Sequence, residues 1–564
     1  MNELNLSYLL GAALAAWLLI KAARRLQLSR AKHPSLRGHV KISRLLARLL
    51  PYYEYTQDQF YACDGAPAEV VEQRRAGMDR LAGQFEASGQ RSRAFAEKLQ
   101  PLLADVQFVN AYRVPFQFRR EMMQKFRLGT AAQASDGVRI QDLDGNWAYD
   151  LSGSYGVNLF GYDFYKQCID AGADRVRELG PVLGPYHPLI ESNVRRLREI
   201  SQLDEVSFHM SGTEAVMQAV RLARYHTGRP RLVQFCGAYH GWWDGVQTGI
   251  GNNRVTRDVF TLSEMSEATL KVLRTRNDIA CVLVNPLQAM HPNSGAPGDA
   301  TLIASDRSAH YDRFAYTEWL KRLRQVCTER GIVLIFDEVF LGFRLAPGGA
   351  QEYFGVRADM VTYGKTLGGG LPVGVVCGRA DLMKRYREDR PSDICFARGT
   401  FNSHPYVMGA MHEFLERLDS AEIRASYESL DQCWDERIAN LNDRLEERGL
   451  PIRLCNMVSV CTVTYTQPSR YNWLLQYYLR AEGLTLAWTG TGRFIFSHNY
   501  TDEDFQAVAD RILKAAEAMR ADGWWWGAST LNNRDIKRQV LKELIAAVTG
   551  RKPVPDRPLA TDQA

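Results

Sequence analysis

The sequence predicts an α/β protein built around a mostly parallel sheet, and three observations carry that reading. From about residue 138 onward, short apolar runs alternate with amphipathic helical stretches, as they do in successive βα units. The runs are residues 205–210, 231–235, 279–284, 332–336 and 373–377, each rich in Val, Ile, Leu or Phe and short enough for a buried strand. Between two of them Leu320, Leu323, Val326 and Cys327 recur on one helical face, and Gly331 stands where a left-handed cap ends such a helix. Another helix is expected to begin near Thr213, directly after the first run. At 564 residues the chain exceeds the roughly 250–300 at which one core stops growing, so two or more packed domains are expected.

Composition narrows the class. Hydrophobic residues at 46% and charged residues at 24% lie near the averages of soluble domains, which excludes wholesale disorder. The net charge of +6 is the difference between 70 basic and 64 acidic residues, and much of the excess precedes residue 50, in Lys21, Arg24, Arg25, Arg30 and Lys32. A basic footprint spread over the fold is absent, so no nucleic-acid partner is expected. The ten cysteines show neither a CxxC pair nor zinc-like spacing, so no disulfide framework and no metal site are expected, and the catalytic part reads as cytoplasmic.

Residues 4–20 (LNLSYLLGAALAAWLLI) carry no charge over 17 positions, the short edge of what crosses a bilayer core as a helix. The basic residues that follow would leave the bulk of the chain on the cytoplasmic face. Glu3 stands where a cleaved signal carries basic residues. An amphipathic or docking helix fits the same stretch, so membrane association is expected either by a single span or peripherally. Residues 40–50 (VKISRLLARLL) place Ile42, Leu45, Leu46 and Leu49 on one face and Lys41, Arg44 and Arg48 elsewhere, a pattern suited to an anionic lipid surface or to packing on the core. The expected organisation is anchor or interfacial helices over residues 1–50, a helical extension over 51–120, a core over 121–525, and a C-terminal helix with a frayed tail over 526–564. In that last segment Ile536, Val540, Leu541, Leu544, Ile545 and Val548 form an apolar face, against which Trp524, Trp525 and Trp526 are expected to pack.

Four segments carry chemistry. In HMSGTEAV, Ser211, Gly212 and Thr213 lie between a strand and a helix, where backbone amides at a helix start can hold a phosphate; a simple helix cap uses the same letters. In FCGAYHGWWDG, Tyr239 offers a flat ring beside Gly241, although an aromatic in such a place is commonly core. In GIVLIFDEVFLGFR an apolar run leads directly into Asp337 and Glu338, which places Asp337 at the carboxyl end of a strand, where ligands gather in parallel sheets. In VTYGKTLGGGLPVG, Lys365 precedes Gly368, Gly369 and Gly370, which allow close approach of backbone or ligand but also suit a flexible loop with a solvated lysine.

In order and local sequence these segments resemble the class III, fold type I pyridoxal-phosphate enzymes, and among them the glutamate-1-semialdehyde aminomutases. The resemblance covers roughly residues 120–525 and takes in GVRIQDLDGNWAYDLSGSYG, SGTEA, YHG, FDEV, GKTLGGGLPVG, GTFNSHP, and EGLTLAW followed by HNYTDED. It implies a fold type I PLP-dependent transferase, with a large cofactor domain over about 185–410, a smaller α+β domain formed by both ends of the core, and a homodimer with active sites at the subunit interface. It implies pyridoxal 5'-phosphate held by Lys365 as a Schiff base, and Lys365 as the base that moves a proton once substrate amine displaces it. By the same resemblance Asp337 keeps the pyridinium nitrogen protonated and Tyr239 stacks on the ring. Ser211, Gly212 and Thr213 take the phosphate, and Thr400 reaches it from the neighbouring subunit.

Three departures bear on the activity. Asn285-Pro286 and His404-Pro405 replace the family's common Glu-Pro and Asn-Pro pairs. TGTGRFIF puts Gly492 about where the aminomutases carry a glutamate. YRVPF is only loosely like the family's carboxylate-binding arginine segment. Arg113, Arg493 and Tyr155 are therefore candidate substrate contacts, with a surface position expected for either arginine. The leading expectation is an aminotransferase that moves an amino group from a small-molecule donor to an aldehyde or ketone of a lipid-like or acyl carrier-bound acceptor, in a pocket lined by Tyr155, Trp242 and Trp243. The alternatives are an aminomutase and a non-catalytic membrane-associated scaffold, against which Lys365 and Asp337 argue.

Overall fold

A computed structural model describes residues 2–35, 38–126, 131–247, 249–254, 257–293, 308–487, 490–527 and 532–550. The strands in chain order begin with β1 (Ala134–Asp136), β2 (Arg139–Gln141) and β3 (Trp147–Asp150). β4 (Glu205–His209), β5 (Arg231–Phe235), β6 (Val259–Leu262), β7 (Ile279–Val284), β8 (Val333–Asp337), β9 (Met360–Gly364) and β10 (Gly374–Gly378) follow. β11 (Ile452–Met457), β12 (Val460–Tyr465), β13 (Leu484–Thr485) and β14 (Phe494–Ile495) complete the set.

The central sheet runs β4-β10-β9-β8-β7-β5-β6. β9, β8, β7, β5 and β6 pair in parallel, whereas β10 is antiparallel to both of its neighbours. The sheet is thus mostly parallel, as expected, with one reversed strand. The reversal has a simple cause: only residues 365–373 join β9 to β10, fewer than the dozen or so that a parallel crossover needs. Strands β7 to β10 are buried at every position, which is why they read as continuous apolar runs. Alternate residues serve opposite faces. Leu334 and Phe336 pack with Trp319 and Leu320 of helix Arg313–Arg330, while Val333 and Ile335 pack with Ala219 and Val220 of helix Gly212–Thr227. Helix Arg313–Arg330 ends on Gly331 at φ 57°, as its sequence predicts. Of two smaller sheets, β1-β2-β3-β13 joins chain from both ends of the core, and β11-β12-β14 comes from its C-terminal part alone.

The helical extension is present as helices Gln57–Ala62, Ala68–Ser88, Gln90–Leu99, Ala104–Tyr112 and Arg119–Lys125. It shares one core with the C-terminal part. Phe118 meets Phe60 at 5.5 Å and Trp473 at 5.1 Å, and Tyr471 meets Trp524 at 5.0 Å. Trp524 and Trp525 are buried, as expected. A buried pair, Arg470–Glu543 at 2.6 Å, joins helix Asn533–Thr549 to this core, and Tyr53 and Tyr55 donate to Glu543 at 2.9 and 2.6 Å. On that helix Ile536 and Val540 are buried but Leu541, Ile545 and Val548 are exposed, so its apolar face is only partly covered. The polar tail after residue 550, and Trp488 and Thr489, lie outside the described residues.

The N-terminal expectations need correction. Among the described residues no helix is long and apolar enough to cross a membrane. The first helix, Asn2–Ala31, exposes residues 8–26, and only its far end docks, where Ser263 N donates to Ala31 O at 2.8 Å. Helix Val40–Leu49 turns Ser43 and Arg44 inward and leaves Lys41 and Arg48 exposed. Ser43 is buried and Arg44 donates to Gly249 O and Arg254 O at 3.2 and 2.9 Å, while Ile42, Leu45, Leu46 and Leu49 are exposed. Packing on the core through the apolar face is therefore not what forms.

Glu543→Ala strands Arg470 as an uncompensated buried cation, a change that costs about 3–5 kcal/mol. The expected outcome is a lower thermal unfolding midpoint with earlier proteolysis within residues 51–126; an unaltered midpoint and cleavage pattern would show that the pair contributes no net stability.

Candidate active site

The carboxyl ends of β4, β5, β7, β8 and β9, with the amino end of the reversed β10, meet along one edge of the sheet, the place where open α/β sheets bind ligands. After β4, the Ser211 side chain caps helix Gly212–Thr227 by accepting from Glu214 N at 3.3 Å, and Ser211 O accepts from Ala215 N at 3.1 Å. The amides of Gly212 and Thr213 are left at the open end of the helix. A Cβ on Gly374 would collide with Ser211 O, and one on Gly212 would lie 2.5 Å from Val339 Cγ1, so glycines let the ends of β4, β8 and β10 come together. Gly241, at φ 86°, brings the loop after β5 against the same helix start, where its Cβ would meet Thr213 Oγ1 at 2.5 Å.

That loop carries Tyr239 and His240. The buried Asp337, last residue of β8, accepts from His240 Nδ1 at 2.7 Å, and its other oxygen accepts from Val339 N at 3.2 Å and Thr362 Oγ1 at 3.3 Å. Glu338 points to the other side of the strand. It accepts from Ala350 N at 2.6 Å and Gln351 N at 3.3 Å, and burial pushes its carboxyl up to about 8. The Tyr239 phenol is raised by burial and by the nearby Asp337 charge, while the side chain remains 61% exposed. Asn285, after β7, donates to Tyr239 O at 3.4 Å. Sequence reasoning singled out Tyr239 and Gly241 and passed over His240 between them; its signal was the YHG segment itself.

Lys365 begins the turn from β9 to β10 in the left-handed region at φ 49°, a backbone state that costs a non-glycine residue about 1–2 kcal/mol. The loop around it is packed rather than free: Thr366 shares a hydrogen bond with Tyr165 Oη, and Gly368 and Gly369 are buried. Burial lowers the pKa of the Lys365 amine; the Asp337 carboxylate opposes that shift and the Arg344 guanidinium adds to it. Its Nζ lies 5.8 Å from the Phe340 ring centre, and a Cβ on Gly156 would sit 3.4 Å from its Cδ. Tyr155, beside Gly156, is 51% exposed at φ 59°. Thr400 is exposed and makes no hydrogen bond among the described residues. Trp242 is 76% exposed.

Neither candidate arginine takes the expected surface position: Arg113 is buried and Arg493 half-buried. Arg493, so placed, has its pKa lowered by burial to about 10. Its Nη2 donates to Nε2 of His291 at 2.9 Å, and His291 is held at about 3 by burial and by that cation. Arg113 is buried, which lowers its pKa, with Tyr477 and Tyr155 nearby. Arg344, which no motif had marked as functional, donates to Ser459 Oγ and Phe496 O at 2.9 and 2.7 Å and so ties the end of β8 to the β11-β12-β14 sheet.

Residues 123–516 match the family model described as aminotransferase class-III. The chain belongs to this family. It is 30% identical over 394 residues to a glutamate-1-semialdehyde 2,1-aminomutase of Nitratidesulfovibrio vulgaris, covering 67% of this chain and 90% of that protein. Among solved structures it resembles a transaminase with PLP bound, at 25% identity and TM-score 0.61, covering 77% of this chain and 99% of the other. It also resembles a β-phenylalanine aminotransferase from Variovorax paradoxus, at 23% identity and TM-score 0.64, covering 79% and 98%; that likeness shows the fold. The chain is a PLP-dependent class III aminotransferase by family, and its residues fit the cofactor. Open helix amides in a glycine-lined cradle suit a phosphate, and a buried carboxylate suits a protonated ring nitrogen.

Gly241→Ala forces a methyl group against Thr213 at a backbone angle that alanine resists. Affinity for pyridoxal phosphate is expected to fall at least about tenfold in an absorbance titration, with the far-ultraviolet spectrum unaltered; wild-type affinity would remove this contact from the cradle.

Proposed function

We propose that this enzyme moves an amino group from a small-molecule donor to the aldehyde or ketone carbon of an acceptor, in two half-reactions at one site. The observation that carries the reading is the half-buried Lys365 amine, lowered in pKa, beside the enclosed Asp337–His240 pair. Pyridoxal phosphate, when bound, supplies the electrophilic carbon that takes up the amino group and the electron sink that stabilises the carbanion. Lys365 Nζ holds the cofactor until the donor amine arrives, then takes the proton from the donor's Cα and delivers it at the receiving carbon. Asp337 keeps the ring nitrogen protonated, and His240 fixes the orientation of Asp337. Ser211, Gly212 and Thr213 bind the phosphate, and Tyr239 covers a face of the ring.

A homodimer completes the site in this reading. Tyr155, Tyr239, Trp242, Phe396 and Phe401 are exposed, and a second copy that covered them would bring its own Thr400 to the phosphate. The second reading, an aminomutase, is favoured by the 30% identity to curated aminomutases, and Gly492 weighs against it. Incubation with donor alone separates the two: release of a keto acid, with the cofactor converted to its pyridoxamine form, supports transamination. Isomerised product without keto acid supports the mutase.

We place the enzyme at the cytoplasmic face of a membrane, held peripherally, with a lipid-like or carrier-bound acceptor. Support comes from the exposed Leu9, Leu10, Leu14, Leu18 and Leu19 of the first helix and from the outward Ile42, Leu45 and Leu49, with Lys41 and Arg48 close in sequence to the latter. Full-length protein is expected to float with anionic vesicles, and a chain lacking residues 1–20, which keeps the docked Ala31, to bind them at least about tenfold less. Equal flotation of the two would remove the first helix from that role.

Lys365→Ala is expected to abolish multiple turnover while the fold persists, because it removes the proton shuttle rather than a core side chain. Asp337→Asn is expected to retain some cofactor but to slow proton abstraction by orders of magnitude in single-turnover measurements, since a neutral amide cannot offset the ring's positive charge. Near-normal rates at saturating cofactor would take Asp337 out of this role.

A further inference from the structure

The C-terminal helix Asn533–Thr549 has a face that neither the core nor the reaction uses. Positions 534, 538, 541, 545 and 548 recur at steps of four and three residues and so form one stripe along it. The stripe changes character along its length. Arg534 and Arg538, with Lys537 alongside, occupy its first half, and Leu541, Ile545 and Val548 its second. All six are exposed, the three apolar residues by more than half. The opposite side holds the helix to the body through Ile536, Val540 and the Glu543–Arg470 pair. Beyond Glu543 no position of the helix is buried, so its C-terminal end stands clear of the core.

A second outward face is tied to the same helix. Helix Val40–Leu49 exposes Ile42, Leu45, Leu46 and Leu49, and the chain continues through the exposed Leu50 and Tyr52. Tyr53, the next residue, donates to Glu543 at 2.9 Å and so fastens the end of this helix to the C-terminal one. Exposed leucines are ordinary one at a time, but a cluster of them bordered by cations marks a surface that a partner covers. Charge decides which partner. Asp535 lies 3.8 Å from Arg538 and offsets one of the cations, which leaves the stripe basic. A second copy laid against it would set these cations against their own kind or against the apolar half, and either arrangement is unfavourable. An anionic lipid surface accepts both halves at once, the apolar side chains at the acyl boundary and the cations among the headgroups.

We propose that these two helix faces form one docking surface for an anionic lipid bilayer, with Leu541, Ile545 and Val548 seated at the acyl boundary and Arg534, Lys537 and Arg538 at the headgroups. The inference rests on the peripheral membrane reading above and extends it from the first helix to the far end of the chain. It adds a lipid contact that is part of the folded body, because the helix that makes it is fastened to the core by the buried Arg470–Glu543 pair.

The test floats the full-length holoenzyme with vesicles of phosphatidylcholine alone and of phosphatidylcholine mixed with phosphatidylserine. Wild type is expected to bind the mixed vesicles more tightly than the neutral ones. Leu541→Gln combined with Ile545→Gln and Val548→Gln is expected to weaken that binding at least about tenfold, with the thermal unfolding midpoint and the cofactor absorbance unchanged, because these side chains lie outside the core. Arg534→Gln combined with Lys537→Gln and Arg538→Gln is expected to lose at least about tenfold in affinity for the mixed vesicles. If wild type floats with neither kind of vesicle, the membrane reading fails and this inference with it. If wild type floats and both C-terminal variants float equally well, the first helix binds lipid without them; this inference is then overturned while that reading stands. A leucine-face variant that loses self-association yet keeps its vesicle binding gives the face to a second copy and overturns the proposal as well.

Discussion

A carboxylate at the end of a fully buried strand must be compensated, and the arrangement around Asp337 follows from that requirement. One oxygen takes the His240 N–H; the other takes the Val339 amide and the Thr362 hydroxyl. These partners come from the loop after β5, from the turn after β8 and from β9, so satisfying one charge holds three neighbouring segments in register. Asp337 and Glu338 divide the work because successive strand residues face opposite sides. Asp337 faces His240, and Glu338 receives the amides that open helix Gly349–Phe354.

The reversed strand supplies the second constraint. Since β10 must follow β9 after nine residues, Lys365 stands at the beginning of a tight turn and takes a left-handed backbone, held there by the packed Thr366 and buried glycines. The same reversal sets Gly374 opposite His209, next to the Ser211 turn, so that turn and the lysine share one edge. Lysine, cradle and carboxylate are far apart in sequence, and sheet order alone brings them together.

How much of this was legible follows from which forces act locally. Strands β5 and β7 were readable to the residue because a buried strand is a continuous apolar run, and Gly331 was readable as a cap because a left-handed backbone favours glycine. Strand β6 and strand β9, the latter with Thr362, Tyr363 and Gly364, were missed because polar and small residues dilute that signal. The direction of β10 was legible in the short connection rather than in the strand. His240 and Arg344 escaped notice because a hydrogen-bond partner 97 residues away, or one in another sheet, leaves no trace in local pattern. Helix Val40–Leu49 carries a correct periodicity whose orientation no periodicity can tell: Arg44 finds backbone acceptors inward, and that contact turns the leucines out.

Buried arginines show where local bookkeeping ends and function begins. Arg74 and Arg470 meet carboxylates, and the structure closes around them as neutral pairs. Arg344 meets only neutral acceptors, Ser459 Oγ and two backbone oxygens, yet these span two sheets and give its charge a structural purpose. Arg493 meets a neutral imidazole, and Arg113 meets no hydrogen-bonding partner among the described residues. A solvated surface position, the ordinary fate of an arginine outside a pair, would have spared Arg113 the cost of enclosure. Since Arg113 lies within electrostatic reach of Tyr155, and Tyr155 adjoins the glycine packed against Lys365, the helical extension brings one such open charge to the neighbourhood of the chemistry.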